Sequence, residues 1–159
     1  MSIFPTRILL ATDGSREAQL AASTAADIAS TTNSELHLLT VAPGNPDPVY
    51  HVHEGGLRYE TYQQALEAVK KEAQRVLDEQ VRNVEEAGGV VKEAHLRIGE
   101  RRDQAIVHLA EELGAGLIVM GSRGLGGVRR ALMGSVSDSV VHHAHCPVMI
   151  VRPEKQRGG

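Results

Sequence analysis

Five of the chain's 16 glycines, at positions 121, 124, 126, 127 and 134, fall within the stretch GSRGLGGVRRALMGSVSDSV, Gly121 to Val140. A backbone loosened this heavily between an apolar run (GLIVM) and a helical pattern suits a flexible loop, a catalytic turn or a phosphate cradle. Ser135 followed three residues later by Asp138 has the spacing of a capping box, which predicts a helix N-terminus at Gly134–Ser135. Unpaired N–H groups and the positive end of the helix dipole gather at such a terminus. Glycine lets backbone approach an anion closely, and Arg123, Arg129 and Arg130 add positive charge. These residues favour phosphate, with a flexible lid as the plain alternative. The stretch is not a P-loop, because the chain has no Gly-Lys pair, nor a Rossmann fingerprint, because Arg129 stands where the last glycine belongs.

Other residues invite similar questions. Asp13, in TDGS at 12–15, either contacts a ligand or caps a helix together with Ser15. His142 and Cys146 in HHAHC have metal-ligand spacing, but Pro147 ends a helix there and imidazoles suit a helix C-terminus. His51 and His53 offer two ligands without an evident third. Ser122, Ser135 and Ser137 lack an identifiable base, and no Gly-x-Ser-x-Gly elbow or recognisable carboxylate pair is present.

The elements that must position these residues alternate regularly. RILLAT, ELHLLTVA, VVKEAHLRIG, GLIVMG and PVMIVR read as five strands. Ala18, Ala21, Ala22, Ala25, Ile28 and Ala29 share one helical face, and a long amphipathic helix runs from about Tyr59 to Ala87, ended by Gly88-Gly89. Ala105 to Leu113, closed by Gly114, and SVSDSVVHHA complete four helices. Strand–helix alternation predicts a parallel sheet covered on both faces. The apolar first, fourth and fifth strands read as buried on both sides. The prolines and glycines of Pro43–Gly56 predict an irregular loop. Ligands bind such sheets at the carboxyl ends of strands where the winding reverses, which would bring Asp13 and the glycine stretch to one crevice.

Composition narrows the classes. At 159 residues the chain predicts one domain, over 1–153, with a disordered tail at 154–159. With 3% aromatic residues and a net charge of −3, neither stacking on single-stranded nucleic acid nor coating of DNA or membrane is expected. One cysteine, no signal peptide and no membrane-length apolar run predict a cytoplasmic protein.

Gly121-x2-Gly124-x9-Gly134-Ser135, with ILLATDGS, LHLLTVA and HAHCPVMIVRP, resembles the nucleotide-binding universal stress proteins over essentially Ile8–Pro153. The resemblance implies a three-layer α/β/α fold of the adenine nucleotide alpha-hydrolase-like, Rossmann-like kind. Its five-stranded parallel sheet has order 3-2-1-4-5. It also implies an ATP, ADP or AMP site. Val41 would touch adenine, Ala11 and Thr12 would line the same wall, and Asp13 would bind ribose hydroxyls or hold magnesium. Met120 and Gly121 would support the ribose side. Gly124, Gly126, Gly127, Gly134, Ser135, Val136 and Ser137 would form the phosphate turn, beside Ser122, with Arg123 and Arg130 as cationic contacts. In this family HHAHC carries no metal. Many members pair two copies of the fifth strand, so a homodimer through residues 146–152 is implied, with a regulatory protein partner of unknown identity. The implied role is a nucleotide-occupancy signal in a stress response. Slow ATP hydrolysis or another nucleotide-processing activity on the same fold, and a nucleotide-free interaction module, are the alternatives. The chain departs from the common Gly-x-Pro pattern after the third strand, having Gly99-Glu100-Arg101-Arg102 instead.

Overall fold

The computed structural model of the chain describes residues 2–44, 50–53, 56–59, 62–122 and 134–153; the tail at 154–159 lies outside that set. In chain order the elements are β1 (Arg7–Ala11), α1 (Arg16–Thr32), β2 (Glu35–Ala42), β3 (Tyr50–His53), β4 (Gly56–Tyr59) and α2 (Tyr62–Glu86). They continue with β5 (Val91–Ile98), α3 (Arg102–Leu113), β6 (Leu117–Gly121), α4 (Ser135–His143) and β7 (Val148–Val151). Five parallel strands form one sheet in the order β5-β2-β1-β6-β7. Numbered among themselves these strands have the expected order 3-2-1-4-5. No helix of the described residues is long and apolar enough to cross a membrane.

Alternation along each strand divides the core into two halves. Ile8, Leu10, Leu36 and Leu38 point to the side covered by α1 and α2, against Ala21, Ala25, Leu77 and Val84. Leu9, Leu39 and Ile118 point to the other side, against Ile106, Leu109, Ala110 and Val140 of α3 and α4. The buried face of α1 is entirely alanine, at positions 18, 21, 22, 25, 26 and 29. Such small side chains let the helix lie close to the sheet. Gly121 serves that closeness, since a Cβ there would stand 3.0 Å from Glu17 Cβ and 3.1 Å from its carbonyl carbon.

Two expectations need correction. Pro43–Gly56 is not wholly irregular: β3 and β4 pair antiparallel, Tyr50 opposite Tyr59 and His53 opposite Gly56. The three prolines of that stretch, at 43, 46 and 48, all precede the hairpin, so none removes a donor from its ladder. The fifth strand, β7, is not buried on both faces. It is the sheet's edge, with Met149 38% exposed, whereas β2 is buried almost throughout. A central position compensates for the polar His37 and Thr40 in β2.

The ends of β2 and β5 meet through glycine. Gly99 donates its N–H to Ala42 O at 3.0 Å and adopts φ +84°. A Cβ on Gly44 would run into Gly99 Cα. Only glycine allows this crossing of two main chains.

Helices α3 and α4 are clasped by Asp103, whose carboxylate accepts from Ser139 Oγ at 2.7 Å and from Arg101 at 3.0 Å. The Ser139 hydroxyl, then the Gln104 backbone N–H and the Arg101 guanidinium, hold the Asp103 carboxyl below the usual aspartate range. A carboxyl depressed in the folded state stabilises at neutral pH and loses that contribution as pH falls through its native range. Asp103→Ala should therefore cost about 1–2 kcal/mol in urea unfolding at pH 7, in keeping with a charge-assisted hydrogen bond. The gap between parent and variant should close under acid conditions below the ordinary aspartate range. A pH-independent gap would mean that the clasp is not electrostatic.

Candidate functional site

β1 pairs with β6 from Ile8–Leu117 to Leu10–Val119, and the pairing stops before either strand ends. From there the chain leaves β1 for α1 on one face, whereas α4, which follows β6, lies on the other. The separating strand ends open a cleft at the carboxyl edge of the sheet.

One wall is the turn from Thr12 to Ser15. Asp13 Oδ1 accepts the Ser15 N–H at 2.9 Å, and Ser15 Oγ accepts the Ala18 N–H at 3.2 Å, so both residues shape the start of α1. Thr12 donates its N–H to Leu39 O at 3.0 Å, and its carbonyl accepts from Thr40 Oγ1 at 3.3 Å. Its own hydroxyl, Oγ1, is buried without a partner among the described residues. A buried polar atom left this way costs stability unless something fills the cleft and bonds to it.

The opposite wall is built from β6 and α4. Ser137 Oγ donates to Gly121 O at 2.9 Å, Ser122 N–H reaches Val151 O at 3.1 Å, and Gly134 N–H reaches Ser122 O at 2.7 Å. The two sides of the segment at 123–133 are thereby tied together at Ser122 and Gly134. Ser122 Oγ also lies 3.4 Å from Glu17 Oε2.

The capping box is not formed. Gly134, at φ −62° and ψ 157°, is the N-cap, and no side chain completes the cap. Ser135 is the first helical residue. The helix starts one residue early because Gly134 O already accepts the Asp138 N–H at 3.0 Å. This backbone conformation does not demand glycine. The first-turn N–H groups of α4 have no acceptor within the helix and no side-chain cap.

Of the sequence-derived candidates, Ala11, Thr12, Asp13, Val41, Met120, Gly121, Val136 and Ser137 line the cleft together. Ser122, Gly134 and Ser135 are not among its lining residues. Arg123, Gly124, Gly126, Gly127 and Arg130 lie outside the described residues. Five cleft residues escaped the sequence reading as site residues: Ser15, Ala18, Leu39, Arg102 and Ile106. Leu39 could have been found as the neighbour of Val41 on the same strand face. Arg102 opens α3 just after Gly99, at the same carboxyl edge, and brings a cation where the Gly-x-Pro pattern is missing.

HHAHC sits at the end of α4. His142 Nδ1 donates to Asp138 O at 2.7 Å and His143 Nδ1 to Ser139 O at 2.8 Å, so both rings fold back onto their own helix. Cys146 lies beyond the helix against the α3–α4 core, and burial pushes its thiol up. His51 and His53 fall within β3.

Residues 5–152 match the profile of the universal stress protein family. A protein named as a universal stress protein in Staphylococcus aureus (strain USA300) is 33% identical over 148 residues, covering 93% of this chain and 84% of its own. Among solved structures, a universal stress protein in complex with cAMP has a TM-score of 0.67 at 24% identity, covering 94% of this chain and 98% of its own. A universal stress protein from Archaeoglobus fulgidus in complex with dAMP has a TM-score of 0.66 at 24% identity, with coverage of 94% and 99%. At these identities the two solved structures bear on the fold.

The unpartnered Thr12 hydroxyl gives a test that needs no ligand. Thr12→Val keeps the side-chain shape and removes the orphaned atom, so the protein with its cleft empty should gain about 1 kcal/mol, or roughly 2–4 °C in Tm. A loss of stability would show that the hydroxyl has a partner in the free protein.

Proposed function

The chain belongs to the universal stress protein family, and on that premise we propose that the cleft binds an adenine nucleotide, ATP or AMP, whose occupancy a partner protein reads as a stress signal. The observation that carries this reading is the cleft's division into an apolar and a polar part. Leu39, Val41, Ile106 and Met120 offer an apolar slot for a flat base, while Thr12, Asp13 and the start of α4 supply polar contacts beside it. The cAMP and dAMP bound by two solved relatives support adenine as the base.

In this reading Asp13 accepts hydrogen bonds from the ribose hydroxyls, and a magnesium ion held by the phosphates would share that carboxylate. The N–H groups at the start of α4 meet the phosphates, where fixed dipoles favour negative charge. Gly134 and Ser135 belong to that turn, and the glycines and arginines of 123–130 complete it by the family's motif. Ser137 holds the turn in place through Gly121 O. Arg102 adds a cation at the mouth of the slot. The protein works in the cytoplasm as a homodimer. The short edge strand β7, with Met149 half-exposed, is the element that a second copy would cover.

Calorimetric titration with adenosine, ADP and ATP tests the site. Asp13→Ala should weaken all three ligands to a similar extent, because the ribose is common to them. Gly134→Val should instead cost ATP on the order of 2 kcal/mol, roughly thirtyfold, with little effect on adenosine, since only phosphate meets a Cβ there. Its φ is one that valine adopts, so the variant should fold. Unchanged ATP affinity in folded Gly134→Val would remove the phosphate role of this turn.

The dimer has a separate test. Met149→Lys should move the sedimentation coefficient toward that of a monomer, and an unchanged dimer would place the interface elsewhere.

A further inference from the structure

Away from the cleft, on the α3 side of the sheet and nearer the amino ends of the strands, two histidines face each other across adjacent strands. His37 on β2 and His95 on β5 are almost buried, their side chains 5% and 10% exposed. His37 Nδ1 and His95 Nε2 are 3.2 Å apart. The ring centroids are 5.5 Å apart, close to that distance plus the two ring radii, so the rings meet edge to edge with their nitrogens aimed at one another. Glu93, whose side chain is 64% exposed, brings a carboxylate oxygen to 3.9 Å from the same His95 Nε2. One ligand atom from each of His37, Glu93 and His95 falls within 4.8 Å of the other two.

The tautomers follow from the surrounding bonds. His37 Nε2 lies 3.4 Å from Glu35 Oε2, a carboxylate that can only accept, so Nε2 carries the proton and Nδ1 keeps a lone pair. Arg7 Nε anchors the same Glu35 oxygen at 3.2 Å, and Arg7 also binds Leu113 O at the end of α3. A histidine whose outer nitrogen is held by a carboxylate, with its inner nitrogen free to donate electrons, is the arrangement that supports metal-bound imidazole. In the metal-free pair, His95 Nε2–H donates to His37 Nδ1.

We infer that His37 Nδ1, His95 Nε2 and the Glu93 carboxylate form a binding site for a divalent transition-metal ion of the zinc type. Two nitrogens and one carboxylate oxygen are a usual zinc ligand set, and an open fourth position falls to solvent beside Glu93. Two nitrogens sharing one tetrahedral ion lie about 3.3 Å apart when each bond is near 2.0 Å, so the observed spacing needs no strand movement. Both rings must turn, each by roughly 35°, for their lone pairs to converge on an ion beside the N–N line, toward Glu93. Binding takes no proton from the pair: neutral His95 moves its N–H from Nε2 to Nδ1, and the ion replaces the hydrogen bond between the rings. Arg97, bridged to Glu112 at 3.4 Å, is the nearby cation on β5, and that pairing offsets its repulsion of the ion. None of His37, Glu93 and His95 lines the cleft, whose residue Val41 lies four residues beyond His37 on the same strand face.

The test uses the full chain, stripped with a chelator and titrated with zinc chloride against a chromophoric competitor. One zinc per chain is expected. His95→Gln should weaken binding at least tenfold, and Glu35→Gln by about tenfold through the orientation of His37. A variant with His51, His53, His142 and His143 all changed to alanine should bind as the parent does. Cobalt(II) added to the unaltered protein should give the intense visible absorption of a four- or five-coordinate site. The inference is overturned if cobalt gives only weak six-coordinate absorption, if binding is not stoichiometric, or if folded His95→Gln binds as tightly as the parent.

Discussion

The parallel pairing of β1 with β6 is the constraint on which the rest of the molecule depends. Three register pairs, from Ile8–Leu117 to Leu10–Val119, hold the centre of the sheet, and every other strand is added outward from them. Right-handed crossovers put α1 and α2 on one face and α3 and α4 on the other, so the chain must leave β1 and β6 toward opposite sides. The space between the departing chains cannot be filled by either helix. A cleft there is a consequence of topology, and the side chains that line it determine its chemistry.

Small residues keep that arrangement compact. The alanine face of α1 lies low over the sheet, and Gly121 removes the one Cβ that would lift its first turn at Glu17. Ser137 and Gly134 then fasten α4 to the last turn of β6 through Gly121 O and Ser122 O. The opening glycine stretch therefore contributes in two ways. Gly121 is required for packing, whereas Gly134 has a backbone conformation open to any residue and owes its place to the hydrogen bonds on either side of it.

Much of this was legible in the residues. The apolar runs and the periodicity of α1 are local signals, and of the spaced glycine motif Gly121 lines the cleft. What could not be read depends on contacts between distant positions. The hairpin β3–β4 was hidden behind three prolines that turn out to precede it. Arg102 and Ile106 reach the cleft only because α3 returns across the sheet. The Gly134 cap of α4 is also tied to Ser122, more than ten residues away, through its N–H. The facing of His37 and His95 has no sequence signature at all, since 58 residues separate them and parallel pairing of β2 with β5 brings them together.

The crossing of Gly44 over Gly99 has an evolutionary consequence. The two positions behave as a single heritable unit: a side chain at 44 is blocked by the main chain at 99, and position 99 is itself held to glycine by its left-handed turn. Drift at either site alone is closed off, and a lineage that loses one glycine must rebuild both strand exits. The segment that leads from residue 44 to α2 starts at this fixed point. Diversity among descendants of such a chain should therefore accumulate just past the crossing, with the crossing itself as the boundary between the inherited frame and the part free to specialise.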